Sequence, residues 1–236
     1  MHFHIAITSC NREKRLKSLV SRLQSLEESS QHTQETWLYY DGDTINTPPV
    51  TRRKDLEGEP HGKKLYWKVM QDVWVEAHQR VGTWDAFLFV QDDVTIPMDD
   101  FFDEVAGLMD RLSRKTHRPG ALNLYGDGPY PQRTARWTGA PVTHCRVPEV
   151  WSAKWIDLQC VVFWPRTVRA IPEIKPISPD RWVVDPGLSS GVGRQLSQRI
   201  NKLRFGQYMV NEPWVSHEAE STMNTHRNGG VYENAR

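Results

Sequence analysis

Two adjacent carboxylates, Asp92 and Asp93, close an apolar run that passes through Phe87-Leu88-Phe89-Val90 to Gln91. Neighbouring negative charges at the end of a buried segment repel each other unless a cation or hydrogen-bond donors lie between them, and hard divalent ions prefer oxygen ligands. A Mg²⁺ or Mn²⁺ site fits this pair. A plainer arrangement of turn-forming and helix-capping aspartates fits as well, because Ile96-Pro97-Met98-Asp99-Asp100 leads straight into a helical pattern. Two further polar clusters follow apolar runs: Thr8-Ser9 with Arg12, and Asp41-Gly42-Asp43. No GxGxxG follows the first run, and no GxxxxGK continues into Ser or Thr, which weighs against dinucleotide oxidoreductases and P-loop NTPases. A nucleotide diphosphate would instead be held through a metal.

These clusters need a scaffold that brings them together, and the hydrophobic pattern supplies one. Residues 3–9 read as a buried strand, after which Leu16, Leu19, Leu23 and Leu26 fall at helical spacing. Trp37-Leu38-Tyr39-Tyr40 is a second strand, and the polar, Pro-containing stretch up to Gly62 reads as a long loop. Leu65, Val69, Val73 and Ala77 give a second helix, residues 85–90 a third strand, and Phe102, Val105, Leu108 or Met109, and Leu112 a third helix. Residues 121–125 form a fourth strand. Periodicity then fades through a Gly, Pro and Trp-rich stretch to Pro148, before a strand at 156–164, a helix at 192–203 and a strand at 207–210. Residues 216–236 are polar, carry Gly229-Gly230, and read as a tail or mobile lid. Alternating strands and helices imply an α/β fold with a mostly parallel sheet and helices on its faces. In such sheets ligands bind outside the carboxyl ends of the strands, where the three polar clusters lie.

With 236 residues the chain is expected to be one domain. Its formal charge of +1 supplies no global field toward nucleic acid, and its longest apolar stretches are far below the roughly 20 residues of a membrane helix. The N-terminal residues lack a secretory pattern, so a cytoplasmic location is expected. Cys10, Cys145 and Cys160 share no CxxC spacing and read as buried thiols. Ten tryptophans outnumber the seven tyrosines and seven phenylalanines. Most belong to the core, and one or two are placed to line a groove for an acceptor. Lys63 and Lys64 open the second helix, where either can reach a diphosphate or a nucleic-acid phosphate, or simply solvate the first turn.

Taken in order, HIAITSCNRE, WLYYDGD, FLFVQDDV, LQCVVFWP and NEPWVSHEAESTMN resemble a GT-A-type glycosyltransferase that uses a nucleotide-activated sugar. The resemblance implies a Rossmann-like single domain, with residues 1–125 as the nucleotide-sugar half, 126–215 as a more irregular acceptor half, and 216–236 as the tail or lid. It implies that Asp93 holds the divalent metal, Mn²⁺ or Mg²⁺, and that Asp92 and Gln91 face the ribose. Gln91 stands where such enzymes often have an acid. By the same resemblance Thr8, Ser9 and Arg12 meet the base and ribose, and Asp41 and Asp43 form a second nucleotide-contacting turn. Taken singly, Ser9 and Asn11 fit helix caps better.

His217, in Pro213-Trp214-Val215-Ser216-His217, matches a late histidine that is a second metal ligand in many relatives. Direct displacement at an anomeric carbon needs a carboxylate to take the acceptor's proton. The resemblance puts that base between the Trp-rich strand and the last helix, which gives Asp185, with Asp157 as the second candidate. The implied reaction moves a sugar from a nucleotide-sugar donor, most simply a UDP-sugar, to a hydroxyl of a glycan, a small molecule or modified DNA. The DNA case would resemble phage enzymes that glycosylate hydroxymethylated pyrimidines, in a host cytoplasm. Two other classes fit the same residues: a non-catalytic carbohydrate or nucleotide-binding module, and a metal-dependent nuclease or phosphatase.

Overall fold

The structure, a computed structural model, describes residues 1–10, 12–42, 49–56, 62–125, 143–178, 180 and 190–217, with the side chains of residues 62–64 and 217 left outside. Strand β1 (His2–Ser9) is buried from Phe3 onward and alternates its side chains between two cores. Phe3, Ile5 and Ile7 enter one core and Ala6 the other, the period a strand needs when both of its faces are covered. Parallel partners flank it, β2 (Thr33–Tyr40) on one side and β4 (Ala86–Gln91) on the other. Helix α1 (Glu13–Ser29) covers the first face through Leu16, Leu19, Val20, Leu23 and Leu26, the stripe its spacing predicts. Helix α3 (Phe101–Lys115) shares that core, while α2 (Gly62–Gln79) covers the opposite face with Val69, Met70, Val73, Trp74 and Ala77.

The later elements are β6 (Pro119–Asn123), β7 (Thr143–His144), β8 (Val150–Ala153), β9 (Cys160–Phe163), α4 (Pro165–Ala170), α5 (Val192–Lys202) and β10 (Gly206–Val210). Together with β3 (Arg52–Asp55) they complete one sheet in the order β3-β2-β1-β4-β9-β6-β10-β8-β7. Only β9 and β8 run against the other seven strands, so the sheet is mixed but mostly of one direction. The α/β class, the mostly parallel sheet and its flanking helices are those the sequence leads one to expect. No helix among the described residues is long and apolar enough to cross a membrane.

Three segments differ from the sequence reading. The stretch expected to be loop up to Gly62 contains β3, an edge strand made of Arg52-Arg53-Lys54-Asp55. Its charged side chains suit an edge, and two of them lie over aromatic rings of β2: Arg52 over Trp37 and Arg53 over Tyr40. The 156–164 strand shortens at both ends to β9, and its end after Phe163 follows from Pro165 in the first turn of α4. Strand β8 has buried ends and a half-buried middle, so it carries no two-residue period to read. No disulfide joins the cysteines among the described residues; Cys10 and Cys160 are buried and Cys145 is half-buried.

Candidate functional site

Because β1, β2 and β4 run parallel, their carboxyl ends meet at one rim. There the Asp41 backbone N–H donates to the Ser9 carbonyl at 2.8 Å, and the Asp92 N–H to the Thr8 carbonyl at 3.2 Å. The Gln91 N–H reaches the Gln159 carbonyl, just before β9, at 2.9 Å. These bonds place Thr8, Ser9, Asp41, Gln91, Asp92 and Asp93 together.

The two aspartates form the turn between β4 and β5 (Val94–Thr95) and are buried. Arg12, at the N-terminal boundary of α1, points back at them: its Nη1 lies 2.9 Å from Asp92 Oδ1 and 2.9 Å from Asp93 Oδ2. The Ser9 hydroxyl donates to Asp92 Oδ2 at 2.6 Å, and the Cys10 backbone N–H also bonds that carboxylate. Burial pushes Asp92 up to about 6, against the pull of Arg12, while the Asp93 charge adds to the rise. Asp93 differs from its neighbour in one respect. Its Oδ1 is buried with no hydrogen-bond partner among the described residues.

That oxygen tests whether a divalent ion fits. A buried carboxylate oxygen without a donor carries a desolvation cost that a cation would remove, and oxygen suits Mg²⁺ or Mn²⁺. Strand β11 (Ser216–His217) brings the backbone of His217 next to this turn: it runs antiparallel to β5, with His217 opposite Val94. The late histidine is therefore brought beside Asp93, and the first two residues of the expected tail form part of a ladder. Among the described residues, no three His, Cys, Asp or Glu side chains gather as a ready-made metal cage. The aspartates do not cap α3. Its boundary residue is Asp100, which makes no side-chain cap bond. Ser9 likewise caps no helix, since its hydroxyl is committed to Asp92.

A second network lies across the rim. Gln91 Nε2 donates to the Tyr66 hydroxyl at 3.2 Å, and Thr8 Oγ1 lies 3.3 Å from the same hydroxyl. Burial pushes Tyr66 up to about 12, so it stays a neutral phenol. Tyr66 did not stand out in the sequence. Its only signal is its position in the first turns of a helix whose N-terminal end faces this rim. A cavity of about 180 Å³ adjoins the aspartates on the α1 side, between Arg15, Ser18 and Arg22 and the segment from Asp92 to Ile96.

On the far side of β9, Asp157 is half-buried, and its backbone N–H donates to Asn123 Oδ1 at 3.2 Å. Asn123, at the end of β6, also donates to the Trp155 carbonyl at 3.1 Å. Ser197 of α5 fixes the same loop by accepting the Ile156 N–H at 2.9 Å. Asp157 thus lies two residues from Gln159, which contacts the Gln91 backbone. Asp43, Asp185 and Asn11 lie outside the described residues, as does the side chain of Lys64. Of the tryptophans, Trp37, Trp74, Trp84 and Trp164 are buried. Trp67, Trp151, Trp155 and Trp214 are half-buried.

No protein-family model matches the chain, and no curated protein matches it either. Solved structures do. Glucosyl-3-phosphoglycerate synthase from Mycobacterium tuberculosis, in complex with Mn²⁺, UDP and glucosyl-3-phosphoglycerate, superposes with a TM-score of 0.55 at 12% identity, over 96% of this chain and 76% of that one. A Drosophila β1,4-galactosyltransferase 7 mutant, in complex with manganese, UDP-Gal and xylobiose, gives 0.51 at 9% identity, over 100% and 80%. The mannosyltransferase PcManGT from Pyrobaculum calidifontis, in complex with GDP-Man and Mn²⁺, gives 0.50 at 13% identity. That match covers 89% of this chain and 54% of the other, so the chain spans about half of that protein. At these identities the likeness is one of fold. The chain has the GT-A glycosyltransferase fold, a single α/β domain whose mostly parallel sheet is flanked by helices.

Proposed function

We propose that the chain is a glycosyltransferase that moves a sugar from a nucleotide-sugar donor, a UDP-sugar in the first instance, to an acceptor hydroxyl. The observation that carries this reading is the buried Asp92-Asp93 pair at the carboxyl rim of the sheet, with Asp93 Oδ1 left without a donor. Its support is the GT-A fold and the solved neighbours whose complexes contain Mn²⁺ and UDP or GDP-sugars. Asp93 through Oδ1, and His217 beside it, are the residues that would hold a divalent ion. When bound, such an ion supplies the positive charge that neutralises a departing diphosphate.

The chain's own groups divide the remaining work. Asp92, bonded by Ser9, Cys10 and Arg12, fixes the turn that aims Asp93. Thr8, Tyr66 and Gln91 form a neutral, hydrogen-bonded wall suited to the nucleoside, with Asp41 at the neighbouring strand end. A carboxylate must accept the acceptor's proton as the new bond forms. Asp185 is the first candidate for this role and Asp157, on the loop before β9, the second. The half-buried Trp155 beside Asp157 offers a flat face to an acceptor. Acceptor classes to assay are glycan, small-molecule and hydroxymethylated-pyrimidine DNA hydroxyls.

The test is a thermal-shift panel of UDP, GDP, CMP and UDP-sugars with and without Mn²⁺, repeated on Asp93→Ala. A ligand that binds only the folded state raises the melting temperature. One donor should stand apart in Mn²⁺ and lose that advantage in the variant. If chelated and metal-loaded protein respond alike to every donor, the reading fails. Full nucleotide binding by Asp93→Ala, with no transfer by either protein, would favour a non-catalytic binding module instead.

A further inference from the structure

Arg12 Nη1 has two hydrogens, and the nitrogen lies 2.9 Å from an oxygen of Asp92 and 2.9 Å from an oxygen of Asp93. The side chains of both aspartates are almost completely buried, and that of Arg12 is 12% exposed. One fixed cation thus already lies between the acids that the proposed function assigns to a divalent ion. We infer that Arg12 is a resident counter-cation, which makes the acid pair a poor site for a divalent ion alone and a good one for the ion together with a nucleotide diphosphate.

The inference rests on the proposed metal role of Asp93 and follows from local charge. Two carboxylates and one guanidinium leave a single negative charge in a buried cluster. A divalent ion entering alone would turn that into a net positive charge, with Arg12 close to the ion and the local dielectric low. A diphosphate entering with the ion brings the negative charge that offsets this excess. Binding of the two is therefore coupled, and the coupling is the same whichever enters first. Without Arg12 the two carboxylates would match a divalent ion charge for charge, and the ion would bind without help.

Mn²⁺ binding is read directly from the electron paramagnetic resonance signal of the free ion, with and without UDP, after correcting for the Mn²⁺–UDP chelate measured without protein. For the wild type, UDP is expected to tighten Mn²⁺ binding at least tenfold. Arg12→Met should bind Mn²⁺ alone at least tenfold more tightly than the wild type and should lose most of the UDP effect. Arg12→Lys, which keeps the charge, should behave like the wild type. Arg12→Gln, which keeps a donor for Asp92, is a second neutral variant should Arg12→Met fail to fold, and the wild-type comparison needs no variant. Neutral variants that bind the lone ion no better than the wild type, or that keep the full UDP effect, would overturn the inference and leave the proposed function standing; equal Mn²⁺ affinity with and without UDP in the wild type would overturn both, because UDP would then bind alike with and without the ion. No Mn²⁺ binding by any of these proteins, with or without UDP, would overturn both.

Discussion

The Ser9 hydroxyl donates a 2.6 Å hydrogen bond to Asp92 Oδ2 across 83 residues of sequence. It ties the end of β1 to the turn after β4 and fixes the carboxylate that Arg12 also grips. Ser9→Ala would leave a buried carboxylate oxygen without its hydroxyl donor, at a cost of about 1–3 kcal/mol. Urea denaturation should show that loss, and in an Asp92→Asn background the same substitution should cost less. Equal costs in both backgrounds would mean that the two side chains are not coupled.

Gly193 lies in the first turn of α5 against the loop that carries Asp157. A Cβ there would lie 2.7 Å from the Ile156 carbonyl oxygen, a backbone atom with little room to give. Gly193→Ala should destabilise the protein by roughly 1–3 kcal/mol through overpacking. It should also lower kcat while leaving the KM for the donor nearly unchanged if the displaced loop carries the proposed base, Asp157. A donor KM that rises with kcat unaffected would place that loop elsewhere in the reaction.

His4 Nδ1 donates to Glu35 Oε1 at 2.8 Å, and Arg80 grips the same carboxylate. Burial lowers the His4 pKa below its ordinary 6.5. Burial alone would raise Glu35, but hydrogen bonds from Arg80 and His4 more than offset it and hold it below 4.5. Both groups take up protons more readily in the unfolded chain. Stability is therefore fully present above about pH 6.5 and falls as the pH drops, by at most about 1.4 kcal/mol per pH unit for each proton. His4→Gln keeps a donor for Glu35 and should flatten the part of the curve just below pH 6.5. Parallel curves for the two proteins, followed by urea midpoints, would contradict this.

Ending the chain at Val215 removes β11, whose two residues pair with Thr95 and Val94. The nine-stranded sheet does not include β11, so cooperative urea unfolding of that sheet should be retained. Mn²⁺ affinity in the presence of UDP should fall about tenfold or more, as expected when a ligand or its support is lost. Undiminished affinity would remove His217 from the ligand set.

Much of this architecture is legible in the residues themselves. Leu16 to Leu26 keep a clean helical period, and β1 and β4 are solid apolar runs, so the alternation of strand and helix and the polar rim could be read directly. Asp92 and Asp93 stand out because paired charges seldom end such a run. Their pairing with Ser9 and Arg12 does not stand out, although both residues do. Ser9 and Arg12 are 83 and 80 residues away, and their types suit a helix start or a ligand contact equally well. Strand β3 is hidden because an edge built of Arg, Arg, Lys and Asp has no hydrophobic period. Tyr66 reads as one more aromatic on an amphipathic helix until β4 brings Gln91 to its hydroxyl.

The position of β9 has a consequence for how the chain matures. It lies between β4 and β6, hydrogen-bonded to both, yet its residues follow them in the sequence. Until residue 163 has been synthesised, β4 and β6 have no common neighbour, and the inner edge of each is open to any extended peptide that passes. A fragment stopped at residue 125 would thus hold the whole acid corner on an incomplete sheet prone to self-association, so residues 1–125 are not expected to behave as a separate piece.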